Sequence, residues 1–271
     1  MSAVRTEESG TRDVPPVPSA SLRSPSLADY AKSAALWAAG LTYFVPASAG
    51  MVLTCATLGL DRSLAYQRWY ADWVIRLTGS KWRAHVHPDV DPKRPCVFVH
   101  NHTNHFDFVL MHNATPHYKR GLELESHFKY PVYGPMMRIR GGIAVKPGVK
   151  GQTPEVLANM REALKDGHAI LTFPEGHRTT TGRLGPFRKG VFFLARDLEM
   201  PVVPVTVTGA YELMRKGSLM IRPGHELTVH VDAPIETAGM SDDEVPQLVD
   251  RVHAQMSKHI DDYWRAKGWP G

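Results

Sequence analysis

Hydrophobic and polar positions divide the chain into three unequal regions. Residues 1–26 are rich in Ser, Pro, Thr and charge, with hardly a large apolar side chain. Such a stretch buries too little surface to offset the entropy of ordering, and it predicts a disordered arm. Its acidic Glu7, Glu8 and Asp13, and its length ahead of the first apolar run, set it apart from a secretory signal. Between Lys32 and Asp61 the pattern inverts: 28 consecutive residues carry no charged side chain, more than the ~20 that span a bilayer core. Pro46, with Ser48 and Gly50 close by, splits this run into halves each too short to cross alone. The pattern predicts an N-terminal apolar helical hairpin anchoring the chain to a membrane, spanning it or dipping into one leaflet. A helical hairpin buried against a soluble domain is the alternative. Next, Leu64, Tyr66, Trp69, Tyr70, Trp73, Val74 and Leu77 recur at helical spacing beside Arg62, Arg68 and Arg76. They predict an amphipathic helix facing either the membrane interface or the core, which completes a region over 27–80.

From residue 81 to 271 the period changes. Short apolar or β-branched runs at 82–86, 96–99, 122–124, 143–145, 169–173, 202–207 and 227–231 read as strands. Amphipathic segments intervene. One is signalled by Thr153 as N-cap, Pro154, a stripe of Val156, Leu157, Met160, Ala163 and Leu164, and Gly167 as terminator. The last opens on a capping box, Ser241 to Glu244, and presents Val245, Leu248, Val249, Val252, Met256 and Ile260 on one face. Continuous apolar strands between such helices predict an α/β domain over 81–271, a mixed, mostly parallel sheet flanked by helices.

Composition adds little beyond this. With 271 residues, 43% hydrophobic and 22% charged, the chain buries a full core without disulfides or a structural metal. Collagen, coiled coil, a polytopic membrane protein and a wholly disordered chain are excluded. Cys55 and Cys96 have no C-x-x-C spacing, which points to a reducing compartment. A net charge of +5 does not mark a nucleic-acid binder but suits anionic headgroups or phosphorylated substrates.

The densest polar cluster follows the strand at 96–99, in the segment His100-Asn101-His102-Thr103-Asn104-His105-Phe106-Asp107, where open α/β sheets place their sites. One reading pairs His102 with Asp107: the imidazole removes a proton from a weakly acidic hydroxyl during attack, and the carboxylate orients it and stabilises the imidazolium. The competing reading is a zinc hydrolase using His100, His102 and His105, although Asn104 stands where such a site needs an aspartate.

Three further segments bear on the choice: Phe173-Pro174-Glu175-Gly176-His177-Arg178-Thr179 after a strand, Pro186-Phe187-Arg188-Lys189-Gly190 opening a helix, and Val203-Pro204-Val205-Thr206-Val207. With Asn101, His102 and Asp107 these resemble, in order and spacing, the blocks of the glycerolipid acyltransferase family that includes 1-acyl-sn-glycerol-3-phosphate acyltransferases. The resemblance covers about 95–208. It implies an O-acyltransferase moving an acyl group from a coenzyme A or acyl-carrier-protein thioester to a lysolipid hydroxyl in membrane lipid synthesis, with no cofactor beyond that co-substrate and no metal. His102 would be the general base and Asp107 its partner. Asn101, Lys146, Glu175, Gly176, His177 and Arg178 would contact the acceptor. The implied partners are membrane lipids and the thioester donor, not nucleic acid, at the cytoplasmic face of a membrane. Lys146, Lys150, Arg183, Arg188 and Lys189 would add positive potential.

The chain departs from the family's pattern in places. Pro147 stands where the second block places a phosphate-binding arginine, leaving Lys146, Lys150 or Arg140 to compensate, or an acceptor that is not a simple glycerol phosphate. Asn104 replaces a common serine and His177 a common threonine; His105 and His177 are either additional polar ligands or packing substitutions. A membrane lipid-binding protein that has lost turnover is the non-enzymatic alternative.

Overall fold

The computed structural model describes residues 24–146 and 153–269, so most of the expected arm, together with Pro147 and Lys150, lies outside the described residues. Ser26 is already structured. It opens α1 (Leu27–Leu58) through a reciprocal capping box, the Asp29 carboxylate accepting from the Ser26 N–H at 2.8 Å.

Helix α1 runs unbroken through Pro46, contrary to the expected split. The proline withholds one N–H from the Thr42 carbonyl, a loss that long apolar helices tolerate. The bend comes instead at Gly59, where φ is +79°, and α2 (Leu64–Arg76) folds back along α1. Tyr66 Oη donates to the Ala47 carbonyl at 2.9 Å, and Tyr43 Oη to the Tyr70 carbonyl at 3.1 Å. The expected hairpin within the charge-free run is therefore absent: that run is one helix, and its antiparallel neighbour is the amphipathic helix α2. α2 buries Gln67, Tyr70, Ala71 and Ile75, while Trp69 and Trp73 of the expected apolar stripe stand 47% and 43% exposed. Gln67 holds a core position because its amide is satisfied there, donating to Ser63 Oγ at 2.8 Å and accepting from Arg140 Nε at 2.9 Å. Among the described residues α1 is the one helix long and apolar enough to cross a membrane, and 22% of its apolar window is buried.

Seven strands form one sheet: β1 (Lys81–Val86), β2 (Val97–His100), β3 (Lys119–Leu124), β4 (Ile143–Val145), β5 (Ala169–Thr172), β6 (Val202–Thr208) and β7 (Glu226–Val231), in the order β1-β7-β6-β2-β5-β3-β4. Every neighbouring pair is parallel except β6 and β7. Each expected strand is present. β3 starts earlier than its apolar run because Lys119 is buried in it, the ammonium donating to the carbonyls of Thr115 at 3.0 Å and His117 at 2.9 Å.

Alternation across the pleat sends side chains to two cores. Phe98, Leu171 and Val205 pack with α1, α2 and α3 (Asp107–Ala114) through Met51, Ile75 and Leu110. Val97, Val99 and Ile170 pack with α5 (Thr153–Lys165), α6 (Gly190–Asp197) and α8 (Val245–Ala266) through Met160, Phe192 and Val249. Of the other described α-helices, α4 (Tyr133–Ile139) joins the α1 side of the core through Met136, and α7 (Ala210–Leu213) follows β6. Two of the capping signals act as expected: α5 ends ahead of Gly167, with φ of +75°, and Ser241 pairs with Glu244 ahead of α8; Thr153, expected as the N-cap of α5, is its first residue. β2 lies centrally, and the chain leaves it through α3 to reach β3 on the far side of β5. The carboxyl end of such a strand is where doubly wound sheets open a crevice.

Candidate active site

The loop leaving β2 is fastened on both sides. The Asn101 side chain extends the pairing with β6 after the backbone has turned away: its Oδ1 accepts from the Val207 N–H at 2.8 Å and its Nδ2 donates to the Val207 carbonyl at 3.0 Å. Asn104 accepts from the Phe106 N–H at 2.8 Å and donates to the Ala210 carbonyl at 2.6 Å. Both asparagines are buried and act on the loop's shape.

Within this frame Asp107 occupies the first turn of α3, fully buried. Its Oδ2 accepts from the N–H groups of Thr103 at 2.5 Å and Asn104 at 2.9 Å, and from His102 Nδ1 at 3.0 Å. The bond to the carboxylate assigns the ring proton to Nδ1 and makes Nε2 the basic nitrogen. The imidazole is sandwiched in place by Phe173, stacked at 4.2 Å between centroids, and its side chain is 25% exposed. A rigid, partly open imidazole with an oriented tautomer can accept a proton from a bound hydroxyl.

The Phe173–Arg178 loop after β5 docks onto the same strand end. Glu175 is buried, and its two oxygens accept from the His102 N–H at 2.7 Å and the Gly185 N–H at 2.8 Å. The Thr179 N–H donates to the His102 carbonyl at 2.7 Å. Glu175 thus stitches three loop segments together. Burial pushes its carboxyl up to about 8, against the pull of the two N–H donors. Gly176 adopts φ of +69°, and an added Cβ would lie 2.6 Å from Arg188 Nε, so the glycine lets the Arg188 guanidinium pack against the loop. Arg178 Nη1 meets His105 Nε2 at 2.8 Å, and His177 is exposed.

Other expected site residues lie elsewhere. Lys146 is paired with Glu125 at 3.1 Å beyond β4, which β5 and β3 separate from β2. Arg183 is not a surface cation: it is buried against Asp261 of α8 at 3.0 Å. Arg140 is buried as well, its guanidinium 4.8 Å from the Phe108 ring and bonded to Gln67. The three imidazoles of the zinc reading do not converge. His100 is fully buried with Nδ1 against the Asn101 carbonyl, His105 faces Arg178, and no group of three or more metal-ligating side chains occurs among the described residues. Sequence reasoning assigned no role to Phe173, Thr179 or Gly185; their contribution is a ring face and two backbone N–H groups, which no residue-type pattern encodes.

Residues 81–208 match the family model described as Acyltransferase. That segment of the chain is similar to the acyltransferase family. Over 141 residues, 52% of the chain, it is 34% identical to a chloroplastic 1-acyl-sn-glycerol-3-phosphate acyltransferase of Brassica napus. Over 167 residues, 60% of the chain, it is 30% identical to the human 1-acyl-sn-glycerol-3-phosphate acyltransferase beta. These alignments take in 41% and 59% of the relatives' own lengths, so the chain spans about half of the curated relatives it matches. The crystal structure of the 1-acyl-sn-glycerophosphate acyltransferase of Thermotoga maritima superposes with a TM-score of 0.73 at 22% identity, covering 87% of this chain and 96% of that one. The two chains therefore share their fold.

Proposed function

We propose that the protein acylates the free hydroxyl of a lysophosphatidate-type lysolipid, using an acyl-CoA or acyl-carrier-protein thioester, as a step in membrane lipid synthesis. The observation that carries this reading is the His102–Asp107 pair at 3.0 Å at the carboxyl end of β2, inside the segment that matches the acyltransferase family. The names of the relatives supply the acceptor class. An alcohol is far too basic to be deprotonated by imidazole in advance, so the proton must leave as the oxygen attacks. His102 Nε2 takes that proton while the hydroxyl oxygen bonds to the thioester carbonyl carbon. Asp107 stabilises the resulting imidazolium. The C–S bond then breaks and the departing sulfur takes the proton back from Nε2, giving an ester and a free thiol. Arg178, beside His105, provides the cation for the acceptor's phosphate in place of the arginine that Pro147 displaces.

Membrane attachment belongs to the same reading. Leu41, Val45, Leu53 and Leu58 of α1 and Trp69 and Trp73 of α2 are exposed, a composition suited to the hydrocarbon edge and the interface. Purified protein given lysophosphatidate with acyl-CoA or with acyl-carrier protein should release free thiol in proportion to esterified product. Absence of release with both donors would refute the activity, and release with one of them identifies the donor.

A further inference from the structure

The segment between α7 and β7 is a second candidate for lipid contact, distinct from the α1–α2 face and resting on the membrane reading above. Its tip is Leu219, 76% exposed. A lone exposed leucine is ordinary; this one is held out by a defined turn, with the exposed Lys216 and the half-buried Arg215 and Arg222 near it in the chain, Arg215 lying 4.8 Å from the Tyr211 ring. Gly217 takes φ of +80°, the Ser218 N–H closes on the Arg215 carbonyl at 3.1 Å, and Ser218 Oγ accepts from the Met220 N–H at 3.0 Å. Arg215, Lys216 and Arg222 flank the tip.

The turn is also clamped to the apolar helix. The Leu219 carbonyl accepts from Trp37 Nε1 at 2.6 Å and from Ser33 Oγ at 3.4 Å, and the same Ser33 hydroxyl accepts from the Ile221 N–H at 3.0 Å. Between helix and turn runs an open groove of about 940 Å³, lined by Tyr30, Trp37, Leu219 and Arg215 among others. Leu27 and Tyr30, 86% and 56% exposed, continue the apolar surface from the turn onto α1. Leu27, Leu41 and Val45 then follow along one strip of that helix at 14- and 4-residue spacing.

We propose that the Arg215–Arg222 turn is a lipid-contact element for an anionic bilayer surface. Leu219 enters the acyl boundary while Arg215, Lys216 and Arg222 lie at the level of the headgroup phosphates, the usual division of labour for an apolar tip among long cationic side chains. The α1–α2 face sets depth but leaves the protein free to tilt about it. A further contact, hydrogen-bonded to α1, limits that tilt. The same segment reaches the catalytic loop, because Asn104 Nδ2 donates to the Ala210 carbonyl at 2.6 Å and to the Met214 carbonyl at 3.3 Å. Seating the turn on lipid therefore fixes the orientation of the His102 loop toward the surface from which a lysolipid arrives.

The test uses the full chain with an environment-sensitive fluorophore on Leu219→Cys, and separately on Leu41→Cys. Native Cys55 and Cys96 are buried, so labelling is directed to the introduced thiol. Vesicles are phosphatidylcholine alone or with phosphatidylglycerol. The expected result is a blue shift at both positions on the anionic vesicles. Leu219→Asp should weaken vesicle binding by roughly tenfold or more, and Lys216→Glu by roughly fivefold, with unchanged turnover of a short-chain lysolipid below its micelle concentration. A water-like probe at position 219 beside a shifted probe at 41 overturns the inference and leaves membrane attachment by α1 standing. Water-like probes at both positions overturn both. Binding indifferent to phosphatidylglycerol and to Lys216→Glu overturns the assignment to an anionic surface.

Discussion

Replacing Asp107 by Asn separates the chemical role of the carboxylate from its structural one. The native Oδ2 collects three donors, two backbone N–H groups at 2.5 and 2.9 Å and His102 Nδ1 at 3.0 Å, while Oδ1 is buried without a hydrogen-bond partner. An amide oxygen in the Oδ2 position keeps all three donors, but its NH2 then takes the place of Oδ1, where no acceptor waits. Burying two unsatisfied N–H donors costs about 1–3 kcal/mol. In a chain of this size that lowers Tm by roughly 2–12 °C, so the variant folds and is assayable at 25 °C. The ring tautomer survives, yet the negative charge that stabilises the imidazolium during attack is gone. General-base assistance contributes roughly 10²–10⁴ in rate, so the turnover number should fall within that range while KM for the thioester stays near its native value. Stopped-time thiol release together with a thermal melt measures both. A variant with a native turnover number and a lowered Tm would show that Asp107 serves the loop alone and would refute the general-base reading.

Glu175 makes a prediction about pH. Its carboxyl is raised from an unfolded value of 4.5 to about 8, so between those limits the folded state binds more protons than the unfolded one. Its contribution to stability is full below pH 4.5 and is lost as pH rises through about 8. Buried His100 and His112, lowered by burial, slope the opposite way at the acid end, so the Glu175 part is read as the difference between wild type and Glu175→Gln in urea melts across that interval. An identical pH dependence for the two proteins would contradict it. Gly176→Ala should cost activity and stability together, since the new Cβ meets Arg188 Nε at 2.6 Å at a positive φ; the double variant Gly176→Ala with Arg188→Ala should recover part of the lost melting temperature, and no recovery would rule out the clash. Val45→Asp on the outward face of α1, where the native side chain is 53% exposed, should abolish flotation with vesicles while leaving Tm within about 2 °C; unchanged flotation would remove α1 as the anchor.

Much of this was legible in the chain. The seven strands announced themselves as apolar runs because a central, mostly parallel sheet is covered on both faces, and capping residues marked α5 and α8 because their chemistry is local. The His102–Asp107 pair followed from spacing, since a turn into α3 returns the carboxylate to the imidazole. What failed were decisions taken by tertiary context. Pro46 reads as a breaker, yet α1 passes through it and bends at Gly59. Gln67 goes unremarked in the sequence, yet Arg140 and Ser63 bring it inside. Arg183 reads as part of the site's positive potential, and Lys119 gives no signal at all, because nothing local reveals Asp261 across the fold or the three carbonyls that receive the ammonium. Glu175 reads as a ligand for substrate, whereas both its oxygens are held by backbone N–H groups from distant loops. Side-chain-to-backbone bonds of that kind leave no trace in residue type.

The central claim is that His102 moves the proton of a lysolipid hydroxyl during acyl transfer. Mass spectrometry of the lipid formed from lysophosphatidate and a labelled acyl thioester, by wild type and by a folded His102→Ala variant, tests it most directly. The account predicts labelled diacylated product from wild type and a loss of roughly 10²–10⁴ in its rate of formation by the variant. Equal product from both proteins would contradict it.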